Sequence, residues 1–246
     1  MYYFLSDLLF QDKHGATKLH WAARHNRIAE FKELIKSGKE MGVLGKLIEE
    51  KKNLGRTPLD IASFYGHIEI VKILLQLNVS VDEADIDGYT PIMHAAHQGH
   101  LDVVMLLLEH NANIQLTTRQ GATVLYIAVM RGHRDVAETL VSAGDKINKL
   151  DFNNFTALHC AAREDKHEIV KWMLEKPETK FIINDQSNEL RHTPLTIAII
   201  CNGNLEMVKL LVYGGADAKL KGNGKTPLEW AKNQGKNDIA EYLESL

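Results

Sequence analysis

From Thr90 to Gln115 the chain reads TPIMHAAHQGHLDVVMLLLEHNANIQ, and its apolar positions fall into two short helical windows split by Gly99-His100. Thr90 offers an N-cap oxygen, and Pro91 sits at the first helical position, where a missing N–H costs nothing. Leu101, Val104, Met105, Leu107 and Leu108 recur at helical spacing, so the second helix is apolar over more than half its girth. Asn111 follows at the place where a left-handed residue ends a helix. A hairpin of this size cannot bury that much apolar surface alone, and it needs similar hairpins on both sides.

The chain supplies them. Aligned on this unit, a Thr stands at 17, 57, 90, 123, 156, 193 and 226, at spacings of 40, 33, 33, 33, 37 and 33. Five residues after each comes an alanine: Ala22, Ala62, Ala95, Ala128, Ala161, Ala198 and Ala231. Small side chains there let neighbouring helices approach closely. Gly66-His67, Gly99-His100 and Gly132-His133 close three of the first helices. This pattern resembles the ankyrin repeat, whose 33-residue period and T-P-L-H-x-A core are its signature. The resemblance covers residues 12–246 in seven in-phase copies, near 12–51, 52–84, 85–117, 118–150, 151–187, 188–221 and 222–246. It implies an all-α solenoid of paired antiparallel helices with short β-hairpin loops, in which each unit contacts mainly its neighbours. Residues 1–11, with Phe4, Leu5, Leu8 and Leu9 on one helical face, are read as an N-terminal capping segment.

Four irregularities carry expectations. Extra residues between Gly38 and Lys52 lengthen a helix or add a turn. A second insertion follows repeat 5, where Pro177 stops the preceding helix. Repeat 6 carries one additional residue at its turn, so its first helix bulges or overruns. The polar outer side of repeat 7 suits a terminal unit.

Net charge is −3, so no global basic field argues for nucleic acid or an anionic membrane. Two cysteines, Cys160 and Cys201, fit a reducing compartment without a disulfide framework. No apolar run approaches a membrane span, and the N-terminus makes a poor signal peptide. The expected setting is cytoplasmic or nuclear, with delivery into a host cell if the source is bacterial.

Candidate chemistry is sparse. His94, His97 and His100 are spaced i, i+3, i+6, and zinc could use the first two, but His100 belongs to the Gly-His turn signature and His97 holds a variable, exposed position, so a metal site is not favoured. His94 replaces a residue that is Trp, Ile or Cys in other repeats and is left unexplained. His20 and His159 hold the TPLH position, where the resemblance implies a ring bonded to backbone. Cys160 reads as a small buried hydrophobe and Cys201 as an exposed thiol. No phosphate loop, zinc signature or nucleophile elbow is present, so neither an enzyme nor a cofactor is expected. Asn148 and Asn184 match the hairpin asparagine that is hydroxylated in some ankyrin proteins, against the plainer reading of an Asn bonding its own hairpin.

The resemblance also implies partner binding on a concave face, built from finger tips and the exposed side of each first helix. Carried over by position, the candidates are Arg24, Arg56, Phe64, Tyr65, Tyr89, His97, Arg119, Met130, Arg131, Phe152, Phe155 and Arg163. Lys13, His14, His25, Leu54, Ile86, Asp87, Gln98, Glu164, Glu189, His192 and Ile200 extend the set. Tyr, Phe, Met and Arg are the types enriched at hot spots, and basic positions outnumber acidic ones, which points to an acidic partner segment. The reading is a monomeric adaptor, inhibitor or targeting subunit gripping a protein through repeats 2 to 5, with no small-molecule substrate and no membrane insertion. The alternatives are a nucleic-acid-associated repeat protein, for which the face lacks sufficient Lys and Arg, or the repeat region of a larger protein or a bacterial effector.

Overall fold

The computed structural model describes residues 12–13 and 15–246; the capping segment expected at 1–11 and the candidate His14 lie outside these. The described residues fall into two compact units, the first ending at Arg119 and the second running from Gln120 to Leu246.

In the first unit, α1 (Lys18–Arg24), α4 (Pro58–Tyr65) and α6 (Pro91–Gln98) are the first helices of successive hairpins, packed in that order. Their return helices are α2 (Ile28–Glu40), α5 (Ile68–Gln76) and α7 (Leu101–Glu109). The expectation for the first insertion holds in both its forms. Helix α2 runs to Glu40, and an added helix, α3 (Leu44–Glu49), buries Leu47 and Ile48.

In the second unit the first helices are α8 (Val124–Arg131), α10 (Ala157–Arg163), α12 (Pro194–Cys201) and α14 (Pro227–Asn233). Each is followed by its partner: α9 (Arg134–Ser142), α11 (His167–Leu174), α13 (Leu205–Tyr213) and α15 (Asn237–Glu244). Helix α11 stops before Pro177, which opens a 3₁₀ segment, Pro177–Phe181, whose Thr179 Oγ1 donates to Met173 O at 2.5 Å. The additional residue of repeat 6 is Asn202. It stays right-handed at the cap of α12, and the N–H of Gly203 reaches back to Ala198 O.

Every alanine of the repeat column from Ala22 to Ala231 is essentially inaccessible, which is what close first-helix packing requires. Leu19, Phe31, Leu59, Ile70, Leu74, Ile92 and Leu107 fill the first core; Leu125, Leu140, Leu158, Trp172, Leu195 and Leu211 fill the second.

Polar ties join neighbouring hairpins. His20 Nε2 donates to Arg56 O at 3.3 Å and His159 Nε2 to His192 O at 2.9 Å, while each ring's Nδ1 meets the hydroxyl of its N-cap Thr. These are the backbone bonds that the resemblance implied. Burial pushes both rings below the usual imidazole range, His20 to about 4, so both are neutral. The turn histidines act likewise, His67 Nε2 on Arg24 O and His100 Nε2 on Phe64 O, both at 3.1 Å. Gly66 must be glycine for two reasons: its φ is +72°, and a Cβ would lie 2.6 Å from His100 Nδ1. In repeat 6, where Asn202-Gly203 stands in place of Gly-His, Asn202 Nδ2 supplies the tie to repeat 5 by donating to Ala162 O at 3.2 Å.

The fingers are minimal hairpins. Three are closed by single antiparallel bridges, Lys52 with Arg56, Leu150 with Thr156 and Gly222 with Lys225, and no strand forms among the described residues.

Candidate partner-binding site

Repeats 2 and 3 meet on the side where fingers and first-helix ends project. Asp85 opens the finger of repeat 3. Its Oδ1 accepts from the N–H of Asp87 (2.9 Å) and Tyr89 (3.0 Å), fixing the loop as an Asx turn. Its Oδ2 accepts from Arg56 Nε at 3.3 Å and His94 Nε2 at 3.1 Å, and the carboxylate is fully buried. Burial pushes this carboxyl up, but the bonds from His94 and from the Tyr89 and Asp87 N–H groups outweigh it and hold it at about 2. Burial likewise lowers His94 against the opposing pull of Asp85. The pair is therefore a carboxylate bonded by a neutral imidazole. His94, unexplained from sequence, positions Asp85 and through it Arg56.

Around this node the rings gather. Tyr89 stacks on His94 with centroids 5.3 Å apart, and Phe64 lies 5.8 Å from His94 edge-on. Phe64 and His97 stack at 6.3 Å, and the Arg56 guanidinium carbon sits 5.5 Å above the Phe64 ring. Arg56, Phe64, Asp87, Tyr89, His94 and His97 line one open cavity of about 230 Å³. Five sequence candidates, Arg56, Phe64, Asp87, Tyr89 and His97, are thus brought together, and the two residues that order them, Asp85 and His94, were missing from the candidate set. Beside them Arg24 lies over the Tyr65 ring at 5.7 Å, and the finger tips Leu54 and Ile86 are exposed. Arg119 is exposed, and its N–H donates to Asp87 O.

In the second unit, Arg163 donates from Nε to Glu164 (3.0 Å) and from Nη2 to the Tyr126 hydroxyl (3.2 Å). Phe155 meets His159 edge-on at 5.4 Å, Phe152 is exposed, and Met130 is half-buried beside the exposed Arg131. His192 is buried, so its candidacy for the surface is withdrawn: it stands directly before the α12 cap, with its ring against Trp230. Burial pushes the Cys160 thiol up to about 11, whereas Cys201 is exposed. Asn184 is engaged, its Nδ2 donating to Gly215 O and its Oδ1 accepting from Asp217 N; Asn148 is exposed. Among the described residues no group of three or more His, Cys, Asp or Glu is placed to hold a metal, and no helix is long and apolar enough to cross a membrane.

The family profile "Ankyrin repeats (3 copies)" matches residues 1–85, 77–151, 120–185, 143–221 and 178–245. The chain belongs to the ankyrin repeat family. Its fold is that of the human ASB11 ankyrin repeat domain, at a TM-score of 0.77 and 27% identity over 91% of this chain and 96% of that one. A chain in the complex of the predatory endopeptidase Bd0816 from Bdellovibrio bacteriovorus with the immunity protein Bd3460 is 33% identical, at a TM-score of 0.67 over 76% of this chain and 96% of that one. Among curated proteins, the human ankyrin repeat domain-containing protein SOWAHB is 32% identical over 25% of this chain, and the chicken E3 ubiquitin-protein ligase MIB2 is 36% identical over 30%. These matches take in only 8% and 7% of those proteins.

Proposed function

We propose that this ankyrin repeat chain is a protein-interaction module that holds its partner on the finger and first-helix face of each unit. The observation that carries the reading is the convergence of Arg56, Phe64, Tyr89 and His97 on one open pocket. A guanidinium and aromatic rings, fixed by a buried carboxylate, are the anchors that dominate interfaces, and their rigidity limits the entropy lost on binding. The likeness to a protein–protein complex containing an immunity protein supports the same use.

An acidic partner segment remains the favoured ligand, on narrower grounds than charge counting gives. Arg56 and Arg163 already lie against carboxylates, so the preference rests on the exposed Arg24 and Arg119. Two free thiols suit an intracellular adaptor, inhibitor or targeting subunit.

The test is a pull-down from cell lysate with three baits: wild type, Phe64→Ala with Tyr89→Ala, and Arg131→Glu with Phe155→Ala, each checked for helicity by circular dichroism. A protein recovered by wild type and lost with either variant is the expected result. Equal recovery by all three baits sinks the reading. Unchanged binding after Arg24→Glu with Arg119→Glu removes the acidic preference alone.

A further inference from the structure

We propose that the pocket between repeats 2 and 3 receives the side chain of a tyrosine presented by the partner. This rests on the protein-binding reading above and names the chemistry of its anchor. The cavity, about 230 Å³, is smaller than the ~300–1,000 Å³ of sites that enclose small-molecule ligands, so one side chain suits it. Its walls are aromatic: Phe64 and His97 lie 24° from parallel, and Tyr89 stands edge-on to His97 with centroids 6.4 Å apart. An entering ring finds both stacked and edge-to-face partners there.

Two polar groups choose which ring. Arg56 gives its Nε to Asp85, and among the described residues its terminal nitrogens have no acceptor. The Asp87 side chain lines the same cavity and has no donor among the described residues. The two do not pair with each other. A cationic side chain entering here meets Arg56, and an anionic one meets Asp87 with ionised Asp85 behind it. The group that satisfies both is neutral, accepts from a guanidinium and donates to a carboxylate. A phenol hydroxyl does this at the tip of an aromatic ring. Phenylalanine would fill the walls and leave both polar groups unanswered, and tryptophan can donate but not accept.

The anchor of this pocket is therefore neutral, even where the rest of the partner segment is acidic. The surrounding arginines address its flanks, and the pocket addresses one hydroxyl.

The test is selection of random 12-residue phage-displayed peptides on the immobilised whole chain. Clones are then re-measured on Phe64→Ala, on Tyr89→Ala and on Asp87→Ala, the last an exposed position. Peptides that lose binding to Phe64→Ala are expected to share one tyrosine. Changing it to phenylalanine should weaken binding about tenfold or more, the scale of a hydrogen bond to a charged group. Asp87→Ala should weaken the tyrosine peptide by about the same factor and leave its phenylalanine version unchanged, which also shows the variant to be folded. If Phe64-dependent peptides carry no common tyrosine, or bind equally after Tyr→Phe, the tyrosine proposal is overturned while the binding face stands. If selected peptides bind Phe64→Ala and Tyr89→Ala as they bind wild type, the face reading falls with it.

Discussion

Repeats 2–3 in the first unit and repeats 4–5 in the second carry the same register positions and use them differently. Counting from the N-cap threonines, Arg56, Phe64, Tyr89, His94 and His97 correspond to Ala122, Met130, Phe155, Cys160 and Arg163. Both pairs of repeats open their second finger on an aspartate with the same backbone geometry. Asp85 Oδ1 accepts from Asp87 N and Tyr89 N; Asp151 Oδ1 accepts from Asn153 N and Phe155 N. In the first unit the other carboxylate oxygen is buried and holds Arg56 and His94. In the second the arginine has moved to the helix, where Tyr126 and Glu164 occupy its nitrogens. The backbone of a repeat thus fixes where side chains stand. The pairing of neighbours decides whether a guanidinium remains available to a ligand.

The largest effect that tests this contrast is at Asp60, which holds in repeat 2 the position of Tyr126 in repeat 4. Asp60 Oδ2 accepts from Thr57 N and Oγ1, its Oδ1 has no partner, and burial raises the carboxyl to about 7 despite those bonds. An unfolded Asp titrates near ~3.9, so the stability of the neutral acid is full below that pH and is lost as pH rises through 7. At ~1.4 kcal/mol per unit, the span is about 4 kcal/mol. Urea denaturation of Asp60→Asn should lack this decline between pH 4 and 8; a parallel decline in variant and wild type refutes the assignment. His20 contributes the opposite trend, present above ~6.5 and lost as pH falls toward about 4. That trend is common to both proteins and cancels between them.

Next in size, Asp85→Ala should cost about 3 kcal/mol, because it strands a largely buried guanidinium and an imidazole. Asp151→Ala, which loses one exposed and one part-buried Asx bond, should cost about 1 kcal/mol. Equal losses in denaturant melts would erase the distinction between the two fingers. The smallest effect is Tyr126→Phe, which removes one bond to a half-buried arginine and should cost about 1 kcal/mol or less. Its loss should increase partner binding at Arg163 in a titration, since a donor is released.

The period, the caps and the alanine column were legible in sequence because each is a local rule repeated seven times. Thr caps, αL glycines and helical spacing all point the same way, and the structure follows them within a residue or two. The candidate surface was legible for the same reason, since register maps position to face. What register cannot show is which side chains pair across a junction. Asp85 and His94 lie nine residues apart, Arg56 lies in the preceding repeat, and their meeting depends on burial that no single repeat provides. The signal available was His94 itself, the polar residue at an apolar position. His192 holds the position of Arg56 and Tyr89, directly before its N-cap threonine, and is buried because the next repeat places Trp230 against its ring, a pairing that register does not show.

The pocket also bears on how such a chain can grow. Arg56 and Phe64 belong to repeat 2, and Tyr89, His94 and His97 to repeat 3, so neither repeat carries a pocket to a new location. Copying one of them along the chain would multiply helices without multiplying sites. Only a duplication of the two together would transmit the recognition unit, which makes the junction, and not the 33-residue module, the heritable element of specificity here.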